Sequence, residues 1–262
     1  MAIGKLLVIG TAALSLIAAA AHPALAQEKL VGTYGEVRTI LSFKVNDSAL
    51  QKFVPAGWQS NPVGTGPSKG ANVLVVLIDT LTMQGPDGKP GDPTQAAVLV
   101  FLASKTGTEA TVPMVFAGLV SSAGNVPGAY GAFELAKATV ARTTRADPEG
   151  KSSADESWDF SANDNTGISV QVQYGRAPTA RAKLEMRVYS AKMPDFYRIY
   201  RIEQALDVVR SSETGVDRVQ KVAFKIRGSN IASLFDGSEK LVSIVSIPWY
   251  TRQVVLPSSG TQ

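Results

Sequence analysis

The 262-residue sequence contains one histidine and no cysteine, and its 26 basic and 22 acidic residues leave a net charge of only +4. So slight a surplus, spread over singly placed side chains, excludes the clustered basic face of a nucleic-acid-binding protein. The missing cysteine excludes disulfides and thiolate metal sites.

Residues 1–26 begin with Lys5, continue through an apolar run from Leu6 to Ala21, and end in Ala24-Leu25-Ala26. This is the basic start, apolar centre and small-residue cleavage site of a secretory signal peptide, with cleavage predicted after Ala26. A membrane anchor is the competing reading, but Pro23 breaks the run and no second such stretch follows. The remainder, 27–262, is expected to be a single β-rich domain, periplasmic or secreted and free of the membrane after cleavage. The only histidine, His22, leaves with the leader, which rules out a Ser-His-Asp triad, a Cys-His pair and a histidine zinc site. Carboxylate acid–base chemistry, a lysine nucleophile, a Ser-Lys pair, an oxygen-ligand cation site or plain binding remain.

After the leader, Asp47 opens a short predicted helix through Phe53, closed by Pro55 and Gly57. Val73 to Ile78 and Ala96 to Ala103 are continuous apolar runs, as expected of strands buried on both faces. Between them, residues 84–93 hold Gly85-Pro86, Asp87-Gly88 and Pro90-Gly91-Asp92-Pro93, the composition of an exposed hairpin-like loop. The Ala-rich stretch from Gly131 to Arg142 predicts a helix, and the polar stretch from Arg145 to Ser157 a long connection or a boundary between halves. Ile168 to Tyr174, Leu184 to Val188 and Val222 to Ile226 alternate as half-buried strands. A third helix is predicted from Asp195 to about Val209 on near-helical spacing. Within it Tyr197, Arg198, Tyr200 and Arg201 form the nearest thing to a basic patch, which one helical turn or one strand edge explains equally well. Leu241 to Ile247 and Gln253 to Leu256 are closing strands, with Pro248 and Pro257 as stops or edge positions.

No Walker or dinucleotide fingerprint is present, so no nucleotide cofactor is expected. The acidic segments Asp87 to Asp92 and Asp155 to Asp164 lack the spacing of a calcium loop and read as turns, so no metal is expected.

The order of these features resembles the acetoacetate decarboxylase superfamily. The similar elements are the short helix running into Phe53-Val54-Pro55-Ala56-Gly57, the strand Leu74 to Asp79, a second strand, and Gly124 to Lys137. In the second half they are Ile168 to Tyr174 and the segment from Leu234-Phe235-Asp236-Gly237 to Pro248. The resemblance implies an α+β, β-rich fold, an antiparallel cone- or barrel-like sheet with a few short helices around a small apolar cavity. It also implies a lysine whose amine is kept unprotonated by burial and a second cation, so that it forms a Schiff base with a β-keto acid. In that family two adjacent lysines follow a glycine, an aromatic residue and a proline. Here the region reads Gly131-Ala132-Phe133-Glu134-Leu135-Ala136-Lys137, with neither the proline nor the lysine pair.

Lys137 is therefore a candidate catalytic residue by neighbourhood, with Glu134 beside it. The same two residues would equally make a solvated i,i+3 pair worth ~0.2–0.5 kcal/mol on a helix. Glu185 and Arg187 share one strand face. They would hold a polar ligand group if that face is the barrel interior, and are ordinary surface charges if it is the outside. The reading that follows is an exported protein that binds a small apolar or carbonyl-containing molecule without the family's Schiff-base activity. A divergent decarboxylase or lyase, and a non-catalytic envelope protein that binds a protein partner, are the alternatives. The sequence does not fix an oligomeric state.

Overall fold

The computed structural model describes residues 28–257 except Asp164 and Ser229; the expected signal peptide lies outside the described residues. The chain opens with a 16-residue strand, β1 (Lys29–Lys44), to which the sequence reading assigns no element. Helix α1 (Asp47–Leu50) follows, capped by the Asn46 side chain on the amides of Ser48 and Ala49, and a 3-10 turn (Gln51–Phe53) extends it, as expected. Then come β2 (Trp58–Asn61), β3 (Val73–Gln84), β4 (Gln95–Lys105), β5 (Thr111–Val120), β6 (Phe133–Ala146) and β7 (Ser152–Ala162). The chain finishes with β8 (Gly167–Gly175), β9 (Ala180–Ser190), β10 (Tyr197–Ser211), β11 (Val216–Asp217), β12 (Val219–Arg227) and β13 (Lys240–Leu256).

Strands β5, β9, β10, β13, β1, β3 and β4 pair in that order, and β4 pairs back to β5, so the sheet closes on itself. All these pairings are antiparallel except β5–β9, a parallel seam of two residue pairs, Met114 with Tyr189 and Val115 with Ser190. Beyond that seam the same edge of β5 pairs its last residues, in parallel, with β6, while its other edge stays paired with β4. Strand β6 starts a second antiparallel layer, β6-β7-β8-β12, laid against the outside of the barrel.

Period-2 alternation gives each barrel strand two destinations. On β3, Val73, Val75 and Leu77 enter the core between the barrel and the second layer, while Val76 and Ile78 point into the barrel. On β4, Leu99 and Phe101 face the interlayer core, and Val98 and Val100 the interior. The two apolar runs of the sequence are thus buried on both faces as expected. The antiparallel, barrel-like, β-rich class with few short helices is the architecture observed.

Two predicted helices are strands. Residues 133–146 are β6, because pairing with β5 over its first three residues and with β7 from Ala136 onward outweighs the helix preference of Ala136, Ala138 and Ala141. Its burial alternates, with Ala136 inward and Glu134, Leu135 and Lys137 exposed. Residues 197–211 are β10; both faces of its first half are covered, so Ile199, Tyr200 and Ile202 produce a helical spacing by coincidence. Of the expected long connection at 145–157 only 147–151 form a turn, closed by Asp147 and Lys151, and the rest is paired strand of β6 and β7. Pro248 does not stop a strand. Strand β13 runs through it at a bulge, where the register against both β1 and β10 shifts, one of the places a strand tolerates proline.

A buried carboxylate fastens the two layers. Glu156 on β7 is 4% exposed and accepts hydrogen bonds from Thr39 Oγ1 (2.6 Å), Trp158 Nε1 (3.1 Å) and Tyr174 OH (2.7 Å). Tyr174 also bonds Ser246 of β13 at 2.8 Å. Burial, with Glu156 alongside, raises the Tyr174 phenol well above its ordinary range, so it stays a donor. Glu156→Ala would leave three buried donors without their acceptor, at an expected cost of ~2–3 kcal/mol. A urea unfolding midpoint unchanged from the wild type would contradict this role.

Candidate functional site

The barrel encloses a cavity of about 410 Å³, within the ~300–1,000 Å³ usual for small-molecule sites. Its wall is mostly aliphatic, from Leu74, Val76, Val98, Val100, Leu102 and Val115 on β3, β4 and β5. Polar side chains collect on β1, β10 and β13: Tyr34, Arg38, Arg198, Tyr200, Tyr250 and Arg252. The segment between β5 and β6 completes the wall with Asn125, Gly128, Ala129 and Tyr130.

Local backbone geometry aims these groups. On β1, Tyr34, Arg38 and Ile40 share parity and all line the cavity. On β13, Ile247 lines it, and so do Tyr250 and Arg252, three and five residues on. That change of parity is the work of the bulge at Pro248, which turns Tyr250 and Arg252 inward. On β10 the patch seen in the sequence divides by parity. Arg198 and Tyr200 line the cavity, whereas Tyr197 stacks on Tyr189 and Arg201 binds Glu185 and Glu28 outside the wall. Phe133 reaches the cavity because Gly118 and Gly128 leave room for its ring; a Cβ at Gly128 would lie 2.6 Å from it, and φ there is +71°.

Glu36 holds the polar cluster together. Its carboxylate is 2% exposed and is not part of the cavity wall. Arg38 Nε donates to its Oε2 at 2.6 Å, and Arg252 Nε to its Oε1 at 3.1 Å, with Arg252 Nη2 at 2.9 Å from the same oxygen. Arg38 Nη2 lies 2.5 Å from Oε2 as an ion pair without hydrogen-bond alignment. Burial alone would raise the Glu36 carboxyl, but Arg252 and Arg38 override it and hold it below its ordinary value. Burial works against the charge of Arg252 too, and Glu36 outweighs it, so the guanidinium stays protonated.

Aromatic rings order the guanidinium groups. Arg38 lies 3.6 Å above the centre of the Tyr250 ring, and Arg252 is 4.5 Å from that of Tyr34 and 4.6 Å from that of Tyr200. Tyr130 OH and Tyr200 OH share a 2.6 Å hydrogen bond, and Ser190 Oγ anchors the same segment by donating to the Tyr130 carbonyl at 2.7 Å. Burial first, then the Tyr200 hydroxyl, raises the Tyr130 phenol far above its ordinary value. Burial likewise raises Tyr250. Both are neutral donors, suited to a carbonyl or carboxylate oxygen.

The four residues singled out from sequence lie elsewhere. Lys137 and Glu134 are exposed on β6 in the outer layer, and neither lines the cavity. Glu185 and Arg187 occupy the outer face of β9, where Glu185 binds Arg201 at 2.8 Å and Arg187 lies over Tyr197. Met186 and Val188 between and beside them face inward. The two pairs therefore do not come together at the cavity. The groups that do were signalled by Tyr34, Glu36 and Arg38 at alternate positions, and by Tyr250 and Arg252 in the last strand, polar residues repeating at period two.

No family model matches the chain, and no curated protein does. Solved structures do. The enduracididine biosynthesis enzyme MppR, in complex with pyruvate, aligns over 94% of this chain and 96% of its own at 10% identity and a TM-score of 0.54. An acetoacetate decarboxylase-like enzyme from Sphingomonas wittichii RW1 aligns over 89% and 93% at 9% identity and 0.52. The acetoacetate decarboxylase of Legionella pneumophila aligns over 95% and 96% at 11% identity and 0.50. At such identity the agreement is one of architecture, and the fold of this chain is a divergent form of the acetoacetate decarboxylase-like fold.

Proposed function

We propose that this is an exported small-molecule-binding protein whose barrel cavity takes a small, largely apolar or carbonyl-containing ligand, without Schiff-base chemistry. The observation that carries this reading is the residue content of the cavity. A Schiff-base enzyme needs an amine inside its pocket, and among the residues lining this one there is no lysine. Every described lysine is exposed except Lys44, which is half-buried and paired with Asp47 at 2.5 Å. An amine outside the pocket does not reach the carbonyl of a ligand held within it. The aliphatic wall supplies binding energy from burial, and Tyr130, Tyr200 and the arginines supply oriented donors.

Borohydride treatment in the presence of pyruvate and acetoacetate, read by mass spectrometry, tests the claim. No lysine adduct is expected, and Lys137→Ala should behave as the wild type. A trapped adduct on any lysine would restore the enzymatic reading. Native mass spectrometry of protein taken from its own compartment should show a retained small molecule. A mass equal to the bare chain after cleavage at Ala26 would favour the partner-binding alternative instead, and a mass that includes residues 1–26 would overturn export.

A further inference from the structure

Resting on the cavity reading above, we propose that the ligand is a monocarboxylate with an extended apolar tail, its carboxylate held by Arg38, Arg198 and Arg252. The first support is charge. The cavity wall contains these three arginines and no aspartate, glutamate or lysine, and Glu36 behind them supplies one compensating carboxylate. Guanidinium groups out of water require their charge to be matched, so the cluster as built has an unmatched positive surplus.

The second support is hydrogen-bonding capacity. Arg38 Nη2 already lies 2.5 Å from Glu36 Oε2, whereas Arg198 is half-buried and its Nε has no hydrogen-bond partner among the described residues. Both side chains line the cavity. Planar guanidinium donors match the two oxygens of a carboxylate, and the Tyr130–Tyr200 hydroxyl pair lies in the same polar cluster, with Arg252 and Arg198 both acting on Tyr130.

The third support is the shape of the remaining wall. Strand register places Arg38 beside Ile78, then Ile40 beside Val76, Leu74 beside Val100, and Val100 beside Val115. From the arginines onward the wall is therefore hydrocarbon along β3, β4 and β5. A cavity of about 410 Å³ has room for roughly fourteen water-sized groups at ~30 Å³ each. A short oxoacid would fill about half of it, leaving the aliphatic end uncovered. A second charge at that end would meet no partner, which disfavours a dicarboxylate.

Calorimetric titration of the chain purified after leader removal, with acetate, hexanoate, octanoate and decanoate, and with 1-octanol as the neutral isostere, tests this. Affinity should rise about fourfold per methylene until the cavity is filled, and octanoate should bind at least tenfold more tightly than 1-octanol. Arg198→Gln should weaken octanoate at least tenfold and 1-octanol by a much smaller factor, with its thermal midpoint showing that the fold is retained. If 1-octanol binds the wild type as tightly as octanoate, the anionic head group is wrong while the cavity reading survives. If acetate binds as tightly as octanoate, the tail is wrong. If none of these compounds binds, both the proposal and the binding reading fall.

Discussion

Glu36→Ala is expected to lower the unfolding free energy by ~3–5 kcal/mol, because it leaves two buried guanidinium groups facing each other without their shared carboxylate. Arg38 and Arg252 meet only through Glu36, which bonds one with each oxygen. Their side chains are 10% and 14% exposed, so water cannot take its place. Glu36→Gln preserves the shape and removes the charge, and should lose most of the same amount. The effect depends on pH with a definite sign. Because the folded carboxyl is held below its ordinary value of 4.5, its contribution is complete above that pH and is lost as pH falls through the depressed folded value. Urea unfolding of wild type and Glu36→Gln at several pH values should therefore show a gap that is constant at neutral pH and closes in acid. A gap that persists unchanged at about pH 2 would mean that packing, not charge, is what Glu36 supplies.

The contrast between Glu36 and Lys137 shows what one sequence can reveal about such a site. The sheet-rich architecture was legible because Val73 to Ile78 of β3 and Ala96 to Ala103 of β4 are apolar without interruption, and because β8, β9 and β12 alternate. The alternation does not say which side of a strand faces the barrel interior. Glu185 and Arg187 obey the same periodicity as Arg38 or Tyr200, yet the closure of the ring puts them outside. Closure depends on the two-residue seam between β5 and β9, a non-local contact with no local signature. The shift at Pro248 is equally opaque, since proline signals an interruption but not that the strand resumes with its faces exchanged. In β6 local composition favours helix and long antiparallel pairing prevails over it, whereas in β10 burial of both faces imitates a helical spacing. The Arg–Glu–Arg cluster draws on residues 36, 38 and 252, which only the β1–β13 pairing brings together.

That dependence on parity can be tested with two neighbouring substitutions on β4. Val98→Trp enlarges a side chain that is 7% exposed and lines the cavity, opposite Val76 on β3 and Gly118 on β5. The added ring falls into the cavity, so it should reduce binding of octanoate by about 100-fold or more, ~2.7 kcal/mol, while stability changes by less than ~1 kcal/mol. Leu99→Trp, one residue on, enters the interlayer core, where Leu99 is fully buried with Phe101 and Met114. Cores packed at near-crystalline density do not accept that volume without strain. This variant should therefore lose ~1–3 kcal/mol of stability or more and, where it remains folded, bind as the wild type does. Thermal melts and calorimetry on the pair separate two interiors that the sequence writes as one apolar run. If both variants lost stability equally and neither affected binding, the space inside the barrel would be ordinary packed core and the site would have to be sought elsewhere.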